Sequence, residues 1–440
     1  MNKPPEVGSR DEPSAAERWI EDVTCPVCGC VCDDLRLCVR DGLIERIEPS
    51  CPLAEPFFLQ QNRQHAPVAM IDGRSVPLEA AIERAAELLQ QARSPLVYGL
   101  SRSSTAGQRL AVRLAEQLGA SIDTTASVCH APSIMAIQEV GESTCSLGEI
   151  KNRSDLVVFW GVNPLRSHPR HLERYSGEAT GMFLPAGRRD RTLIVVDIEA
   201  HETAQVADHF IQVDPDRDFE MIWALRCLLH GDRPQEPIAC GVPLARLEWL
   251  IERFKAARSG VILFGLGLAR TGAGHRNVEA VLRLVTDLNA HTRFYARRMR
   301  IPGDVTGADM VLCWLTGFPF SVNLSRGYPR YNPGEYSANE LLERGEVDAC
   351  LLVGSESVSS FSQAAQARLA QLPTITLDYP AVGPSFKPHV RFTTAVYGVH
   401  RSGTAYRMDE VPLPLREILP STYPSDDEVL QTILDRLKRP

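Results

Sequence analysis

Apolar segments that alternate with amphipathic helical segments constrain the fold of this chain more than any other feature. Short apolar runs that end in or near Gly or Asp recur at 95–100, 155–161, 192–197, 260–267, 348–355 and 374–378. Helical periodicity fills the intervals 80–91, 105–118, 277–288 and 361–371. Because strands that are apolar throughout are buried on both faces, the pattern predicts parallel sheets covered by helices. Six such units exceed one small domain, so we expect an α/β fold with two parallel-sheet lobes.

Charge and apolar content exclude several classes of function. The net charge is -8, with 47 basic and 55 acidic side chains, which argues against a nucleic-acid partner because such a protein needs a basic face. The sequence has no apolar run of about 18 residues, so we expect no membrane-spanning helix. Residues 1–13 lack the apolar core of a secretory signal. We therefore expect a cytoplasmic protein in a reducing compartment.

Cysteines are concentrated near the N-terminus. Six of the twelve fall in the first 51 residues, namely Cys25, Cys28, Cys30, Cys32, Cys38 and Cys51. In a chain without a secretory signal this clustering favours a metal site over a disulfide framework. Four of the six are separated by two, three and eighteen residues, which suits thiolates around a [4Fe–4S] cluster: Cys25, Cys28, Cys32 and Cys51. A zinc knuckle is the alternative, although such sites usually pair two Cys-x-x-Cys units.

The residues that follow the predicted strands are candidates for ligand contact. In open α/β sheets ligands bind beyond the carboxyl ends of the strands. Those ends carry Gly161 to Pro164, Asp197 to Glu199, Gly265 to Gly267 and Gly354 to Glu356. Each segment alone is common, because Gly and Asp also serve turn geometry. Together they predict a large nucleotide-like cofactor.

Two further segments contain residues suited to chemistry. Cys129 and His130 are adjacent, which offers a thiolate metal ligand beside an imidazole for proton transfer, although such a pair is often coincidence. Arg297, Arg298 and Arg300 form a basic run. The run is either a solvated helix end or a guanidinium that holds a small carboxylate by paired hydrogen bonds. The dense polar loops at 163–171 and 325–335 are typical of binding loops.

These segments together resemble the molybdopterin oxidoreductase superfamily, and most closely the B subunit of formylmethanofuran dehydrogenase. The resemblance runs from about residue 24 to about residue 416. It is carried by the segments 25–34, 129–133, 144–153, 160–171, 325–335 and 403–409. The last two segments are specific to this family within the superfamily.

The resemblance implies a role for each candidate residue. The four spaced cysteines would bind a [4Fe–4S] cluster. Cys129 would bind tungsten or molybdenum carried by two pterin guanine dinucleotides, His130 would assist proton transfer, and Arg300 would hold the carboxylate of formate. The expected pterin contacts are Gly161, Asn163, His168, Asp197 and Gly265.

The resemblance also implies the reaction, the partners and the domain plan. The reaction is the reversible reduction of CO2 to formate, with electrons exchanged through the cluster with a ferredoxin-type partner. Formate then reaches an amidohydrolase-like formyltransferase subunit; a small pterin-binding β-barrel subunit and a glutamate-synthase-like subunit complete the complex. The chain itself would have an iron–sulfur domain and two lobes that clasp the pterin, with no C-terminal β-barrel lobe. The expected bounds are a flexible tail over 1–20, the iron–sulfur domain over 21–65, one lobe from 66–125 plus 250–400, a second lobe over 126–249, and a C-terminal segment over 401–440.

The sequence departs from the family pattern at two places near the expected metal. Ala131 stands where the family usually has Gly, and Ile301-Pro302 follows the expected catalytic arginine. A second hypothesis is therefore a scaffold without the metal cofactor, like the B subunit of the bacterial formyltransferase/hydrolase complex. A stand-alone protein like formate dehydrogenase is a third, and the segments 325–335 and 403–409 argue against it.

Overall fold

A computed structural model describes residues 17–62, 65–235, 238, 240–301 and 303–437. Most of the tail expected over 1–20 lies outside the described residues, and so does Pro302.

The described chain begins with a small antiparallel unit that the strand pattern did not predict. Its sheet has the order β1-β2-β3 and is followed by one helix. The bounds are β1 Arg18–Val23, β2 Leu35–Arg40, β3 Leu43–Glu48 and α1 Ala54–Gln60. The side chains of Leu37, Ile47 and Phe58 are buried in one core cluster. Cys25 to Cys32 lie in the loop between β1 and β2, so this unit presents the clustered cysteines.

The chain then builds the first part of a large sheet. The bounds in this part are β4 Ala69–Ile71, β5 Arg74–Ser75, α2 Leu78–Gln91, β6 Pro95–Gly99, α3 Thr105–Leu118, β7 Ser121–Thr124 and α4 Ala131–Val140. Apolar side chains of α3 recur at helical spacing and are buried, as expected for a helix that covers a sheet. Gly119 ends α3 with φ of +62°, a left-handed conformation that glycine adopts without strain.

A smaller sheet comes next and is wholly parallel. In the described part of the chain its strand order is β10-β9-β8-β11-β12. The bounds are α5 Leu147–Arg153, β8 Leu156–Trp160, α6 Pro164–Ser167, β9 Thr192–Asp197, α7 Glu202–Val206, β10 His209–Gln212, α8 Asp218–Leu229, α9 Leu244–Ala256, β11 Ser259–Phe264, α10 Leu266–Ala269, α11 Gly274–Leu288 and β12 Arg293–Arg298. Apolar residues of β8, β11, α8, α9 and α11 form one core on a face of this sheet.

The chain finally returns to the large sheet and completes it. The bounds are α12 Val305–Thr316, β13 Val322–Asn323, β14 Arg330–Tyr331, α13 Ala338–Glu343, β15 Ala349–Val353, α14 Gln363–Leu369, β16 Thr374–Asp378, β17 Val390–Thr393, β18 Gly403–Tyr406, β19 Pro412–Leu415 and α15 Asp426–Leu437. Over the described residues the large sheet has the order β14-β13-β7-β6-β15-β16-β17-β4-β5. Five neighbouring strands of this sheet are parallel: β7, β6, β15, β16 and β17. Antiparallel strands flank them on both sides.

The expected mixed α/β fold with parallel sheets is confirmed, but the allocation of 250–298 to the first lobe is wrong. Strands β11 and β12 join the smaller sheet, where Phe264 pairs with Trp160 on one side and with Arg298 on the other. Strand pairing, and not position in the chain, decides which sheet a segment joins. The other domain bounds stay predictions.

The basic run is not a solvated helix end, because Arg297 and Arg298 lie on β12 and are buried. Arg297 pairs with Glu410 at 2.6 Å, and Arg298 lies 3.7 Å from Glu142. These carboxylates neutralise the buried guanidiniums.

Among the described residues, we find no helix with the length and apolar character of a membrane span.

Candidate functional site

The candidate site lies where the carboxyl ends of the two sheets meet. Strand β7 of the large sheet ends at Thr124, and Cys129 and His130 follow it. Strand β12 of the smaller sheet ends at Arg298 and is followed by Met299 and Arg300. His130 Nε2 lies 3.1 Å from the backbone oxygen of Met299, which joins the two strand ends. This is the side of parallel sheets on which α/β proteins bind ligands.

His130 is buried and held as a neutral ring. A carbonyl oxygen can only accept, so Nε2 donates to Met299 and carries the proton. Nδ1 then accepts from the hydroxyl of Ser133 at 3.2 Å. Burial lowers the pKa of His130 well below its ordinary value, and the positive charges of Arg300 and Arg298 lower it further. The ring is therefore fixed in one tautomer, with Nδ1 as its only proton-accepting atom.

The thiol of Cys129 is buried beside this ring. Burial raises the pKa of Cys129 to about 11, and the nearby positive charge of Arg300 opposes that rise. A metal ion bound to this sulfur would favour the thiolate.

Arg300 is almost fully buried, with 2% of its side chain exposed. One terminal nitrogen pairs with the buried carboxylate of Asp309, and the other carboxylate oxygen accepts from Thr124 Oγ1 at 2.7 Å. The Nε of Arg300 is buried and has no hydrogen-bond partner. Because buried donors are nearly always satisfied, this N–H is available to an anionic ligand.

The backbone of Arg300 also connects the cysteine loop to the site. Its carbonyl oxygen accepts from Gly29 N at 3.2 Å and from His168 Nε2 at 2.9 Å. A Cβ atom on Gly29 would lie 2.3 Å from that oxygen, so only glycine allows the approach. Burial lowers the pKa of His168 to about 4, which keeps its ring neutral.

Five cysteines line one small cavity beside this connection, which we name the thiol pocket: Cys25, Cys28, Cys30, Cys32 and Cys51. Pro169 and Arg170 complete part of its wall. The loop is closed by a hydrogen bond from Cys25 N to Cys32 O at 2.8 Å. Within the described residues, no three His, Cys, Asp or Glu side chains are arranged to hold a metal ion. Cys38 lies apart from the pocket on β2, with its sulfur 3.2 Å from Glu17.

A cavity of about 500 Å³ adjoins the thiol pocket and shares Cys28 with it. It opens at the carboxyl ends of β8 and β11, which are neighbours in the smaller sheet although their crossovers lead in opposite directions. Such a switch point is the usual ligand crevice of an open α/β sheet. Among its lining residues are three predicted contacts, Gly161, Asn163 and His168.

The two remaining predicted contacts do not line this cavity. Gly265 packs against the turn at Gly161, where φ is +58° and a Cβ would lie 2.7 Å from Leu268 N. Asp197 accepts from Ile198 N at 2.8 Å and lies 3.4 Å from His201. The structure thus gives both strand-end glycines a role in loop packing.

The structure describes two of the residues that depart from the family pattern. Ala131 begins α4 and has no left-handed backbone angle, so its Cβ causes no strain there. Ile301 lines the 500 Å³ cavity. The loop over 325–335 contributes no residue to that cavity or to the thiol pocket.

Sequence reasoning missed the residues that hold the site together. Asp309 pairs with Arg300, and Arg174 pairs with Asp33 at 2.7 Å next to the thiol pocket. Asp309 had a usable signal, since it is the one charged residue in the otherwise apolar helix α12. Gly29 had none, because its role depends on a residue far along the chain.

Curated relatives match nearly the whole chain. The B subunit of tungsten-containing formylmethanofuran dehydrogenase 2 from Methanocaldococcus jannaschii is 41% identical over 428 residues, covering 95% of this chain and 98% of that protein. The protein of the same name from Methanococcus maripaludis is 37% identical, covering 95% and 98%. The chain belongs to the family of formylmethanofuran dehydrogenase B subunits. It is therefore part of an oxidoreductase. No protein-family model matches it.

Other known proteins match this chain more weakly in sequence or share its fold. The B subunit of the formyltransferase/hydrolase complex Fhc from Methylorubrum extorquens is 26% identical over 287 residues, 65% of this chain and 74% of that protein. A chain in the crystal structure of that organism's formyltransferase/hydrolase complex FhcABCD with methylofuran superposes with a TM-score of 0.70 at 24% identity, covering 84% and 98%. Acetylene hydratase from Pelobacter acetylenicus superposes with a TM-score of 0.68 at 11% identity, covering 95% and 69%. These curated relatives are named as B subunits, and the protein from Methylorubrum extorquens as part of a complex.

Proposed function

We propose that this chain interconverts CO2 and formate as the B subunit of a formylmethanofuran dehydrogenase-like complex. The observation that carries the proposal is the meeting of Cys129 and His130 with Arg300 between two sheets, although about 170 residues separate them in the chain. The names of two relatives, which describe a tungsten-containing dehydrogenase, support it.

Cys129 would hold the tungsten or molybdenum ion by its sulfur, with two pterin guanine dinucleotides supplying further ligands. A soft, buried thiol is a suitable donor for such an ion. The bound metal supplies two-electron redox chemistry at the carbon of formate. Because the pterins would supply the other ligands, the protein needs to contribute only the thiolate of Cys129, and no group of three protein ligands is required there.

Arg300 would bind and orient the formate carboxylate. Its Nε has no partner in the protein, while Asp309 holds the other end of the guanidinium in place. A fixed planar donor of this kind selects a carboxylate and sets its direction. Oxidation of formate yields CO2, one proton and two electrons, and we assign the transfer of that proton to Nδ1 of His130, because Nε2 already donates to Met299.

The predicted pterin contacts would act from the carboxyl ends of the smaller sheet. Gly161, Asn163 and His168 line the 500 Å³ cavity, whose volume suits a small-molecule site. Asp197 and Gly265 stay predicted contacts from neighbouring strand ends.

The thiol pocket would hold a [4Fe–4S] cluster on Cys25, Cys28, Cys32 and Cys51. Their soft donors share one cavity, and their spacing of two, three and eighteen residues suits a four-iron cluster. Its place beside the backbone of Arg300 suits transfer of electrons one at a time between the site and a ferredoxin-type protein. The other proposed partners are an amidohydrolase-like formyltransferase subunit, a small pterin-binding β-barrel subunit and a glutamate-synthase-like subunit.

Metal analysis and one variant test this function in the purified complex. We expect iron and one tungsten or molybdenum per chain, and we expect Cys129→Ala to abolish formate-dependent dye reduction while the complex stays assembled. Cys350→Ala is the control, since Cys350 is also buried but lies on β15, and it should retain activity. Unchanged dye reduction in Cys129→Ala contradicts the assignment. A complete complex without tungsten or molybdenum would instead make the chain a scaffold.

A further inference from the structure

Arg174 places a buried positive charge next to the cysteine loop. It lies on a short π-helical segment, Leu172–Ser176, that follows the loop after β8. Its side chain is 14% exposed and its guanidinium lies over the ring of Tyr175. Nη2 donates to Asp33 Oδ1 at 2.7 Å. These contacts fix the guanidinium beside the cysteine loop.

One nitrogen of this guanidinium has no acceptor among the nitrogen and oxygen atoms around it. Nη1 of Arg174 is buried without a hydrogen-bond partner, and the nearest carboxylate oxygen, Asp34 Oδ1, is 3.4 Å away. The guanidinium also lies within hydrogen-bonding range of the side chain of Cys32, which directly precedes Asp33. A thiolate sulfur at Cys32 would therefore be the natural acceptor for this donor.

The surrounding carboxylates offset this charge only in part. Asp33 and Asp34 are about 40% exposed, so water screens them, whereas the side chains of Arg170 and Arg174 are 5% and 14% exposed. Buried charges act at higher strength than exposed ones at a similar distance. Arg170 donates two hydrogen bonds to Asp34, each 2.8 Å long. Of these two arginines, Arg174 is therefore the one with a free donor.

We propose that Arg174 sets the reduction potential of the cluster in the thiol pocket, by donating Nη1–H to the Cys32 sulfur and by holding a buried positive charge beside it. This inference rests on the proposed function, which places a [4Fe–4S] cluster there. Reduction adds one electron to the cluster and makes or breaks no bond. A nearby cation and hydrogen bonds to sulfur stabilise the more negative, reduced form, so Arg174 raises the potential. Arg174 is a positioning residue and touches no substrate.

The test is a redox titration of the purified complex, with dithionite as the electron donor and electron paramagnetic resonance as the readout. Arg174→Met should shift the midpoint potential to a more negative value by at least a tenfold change in the one-electron equilibrium constant, about 59 mV. Arg174→Lys, which keeps the charge but loses the planar donor, should shift it less.

Arg226→Met is a closely matched control. Arg226 is also 14% exposed, pairs with a carboxylate at 2.7 Å, lies over an aromatic ring and has an Nη1 without a partner. It lies on α8 and pairs with Asp287 of α11, whereas Arg174 pairs with Asp33 of the cysteine loop. Its replacement should leave the potential unchanged. An unchanged potential in Arg174→Met with the iron content intact would overturn the inference.

A spectroscopic measurement decides the matter if Arg174→Met loses its iron. In wild-type complex grown with guanidino-¹⁵N-labelled arginine, the reduced cluster should show a ¹⁵N coupling that Arg174→Lys lacks. A wild-type cluster without that coupling overturns the inference. A wild-type complex with no iron–sulfur signal at all would instead contradict the proposed function.

Discussion

The thiol pocket and the Arg300 site lie next to each other but are built in opposite ways. Most of the thiol pocket comes from one loop, with Cys51 added from a nearby segment, and its donors are chemically alike. The Arg300 site joins Thr124, Cys129 and His130 with Arg300 and Asp309, which come from two sheets and one helix. The first depends on local spacing, and the second depends on a buried ion pair. The comparison teaches that a loop of closely spaced cysteines can be recognised from local spacing, whereas the contacts that join two sheets cannot.

The ion pair of the Arg300 site should produce the largest effect. Arg300→Met leaves the Asp309 carboxylate buried without its partner, so we expect a loss of about 3–5 kcal/mol in the free energy of unfolding. Adding Asp309→Leu should recover most of that loss while formate oxidation stays absent. Urea unfolding of the chain measures the stability, and dye reduction by the complex measures the activity. A double variant as unstable as the single one would show that the pair does not dominate this site.

The contact between the two regions should produce the next largest effect. Gly29→Ala puts a Cβ atom 2.3 Å from the Arg300 oxygen, so the cysteine loop must move. We expect a destabilisation of up to about 3 kcal/mol and fewer iron atoms per chain. Gly272→Ala is the control, because a Cβ there would meet nothing within 4 Å. Normal iron content in Gly29→Ala would contradict the coupling between the cysteine loop and the Arg300 site.

The smallest effect concerns the buried imidazole ring of His171. His171 is buried between Phe159 and Tyr175, and burial lowers its pKa to about 3; a proton on His168 lowers it further. Its ordinary pKa is about 6.5, so between those values the unfolded chain binds more protons than the folded chain, and stability falls as the pH falls. At pH 5.5 the loss from this residue is about 1.4 kcal/mol.

Replacement of that ring tests the assignment. His171→Phe keeps an aromatic ring in the same packing, so its free energy of unfolding should decline less than that of the wild type between pH 6.5 and pH 5.5. Urea unfolding at both pH values, with pH 8 as the reference, measures the difference. Parallel curves for the two proteins would mean that His171 does not titrate as its burial requires.

Elements with a clear apolar period were predicted closely from the sequence. The strands at 192–197 and 374–378 and the helix at 105–118 have the expected bounds. Strand β12 was missed because its sequence, Arg-Phe-Tyr-Ala-Arg-Arg, is too basic to predict a buried strand. Burial becomes possible because Glu410 and Glu142 neutralise its arginines. The N-terminal sheet was missed because its strands are only partly buried and therefore lack a continuous apolar run.

The sequence by itself determined the α/β class, the family and the loop that gathers the cysteines, because period, motif and spacing are local properties. Only the tertiary structure decided that β11 and β12 join the smaller sheet and that Asp309 and Gly29 lie against Arg300. It also placed the buried guanidinium of Arg174 against Asp33 in the cysteine loop. These contacts join residues that are far apart in the chain, so they depend on how the sheets pair and pack, which no local pattern specifies.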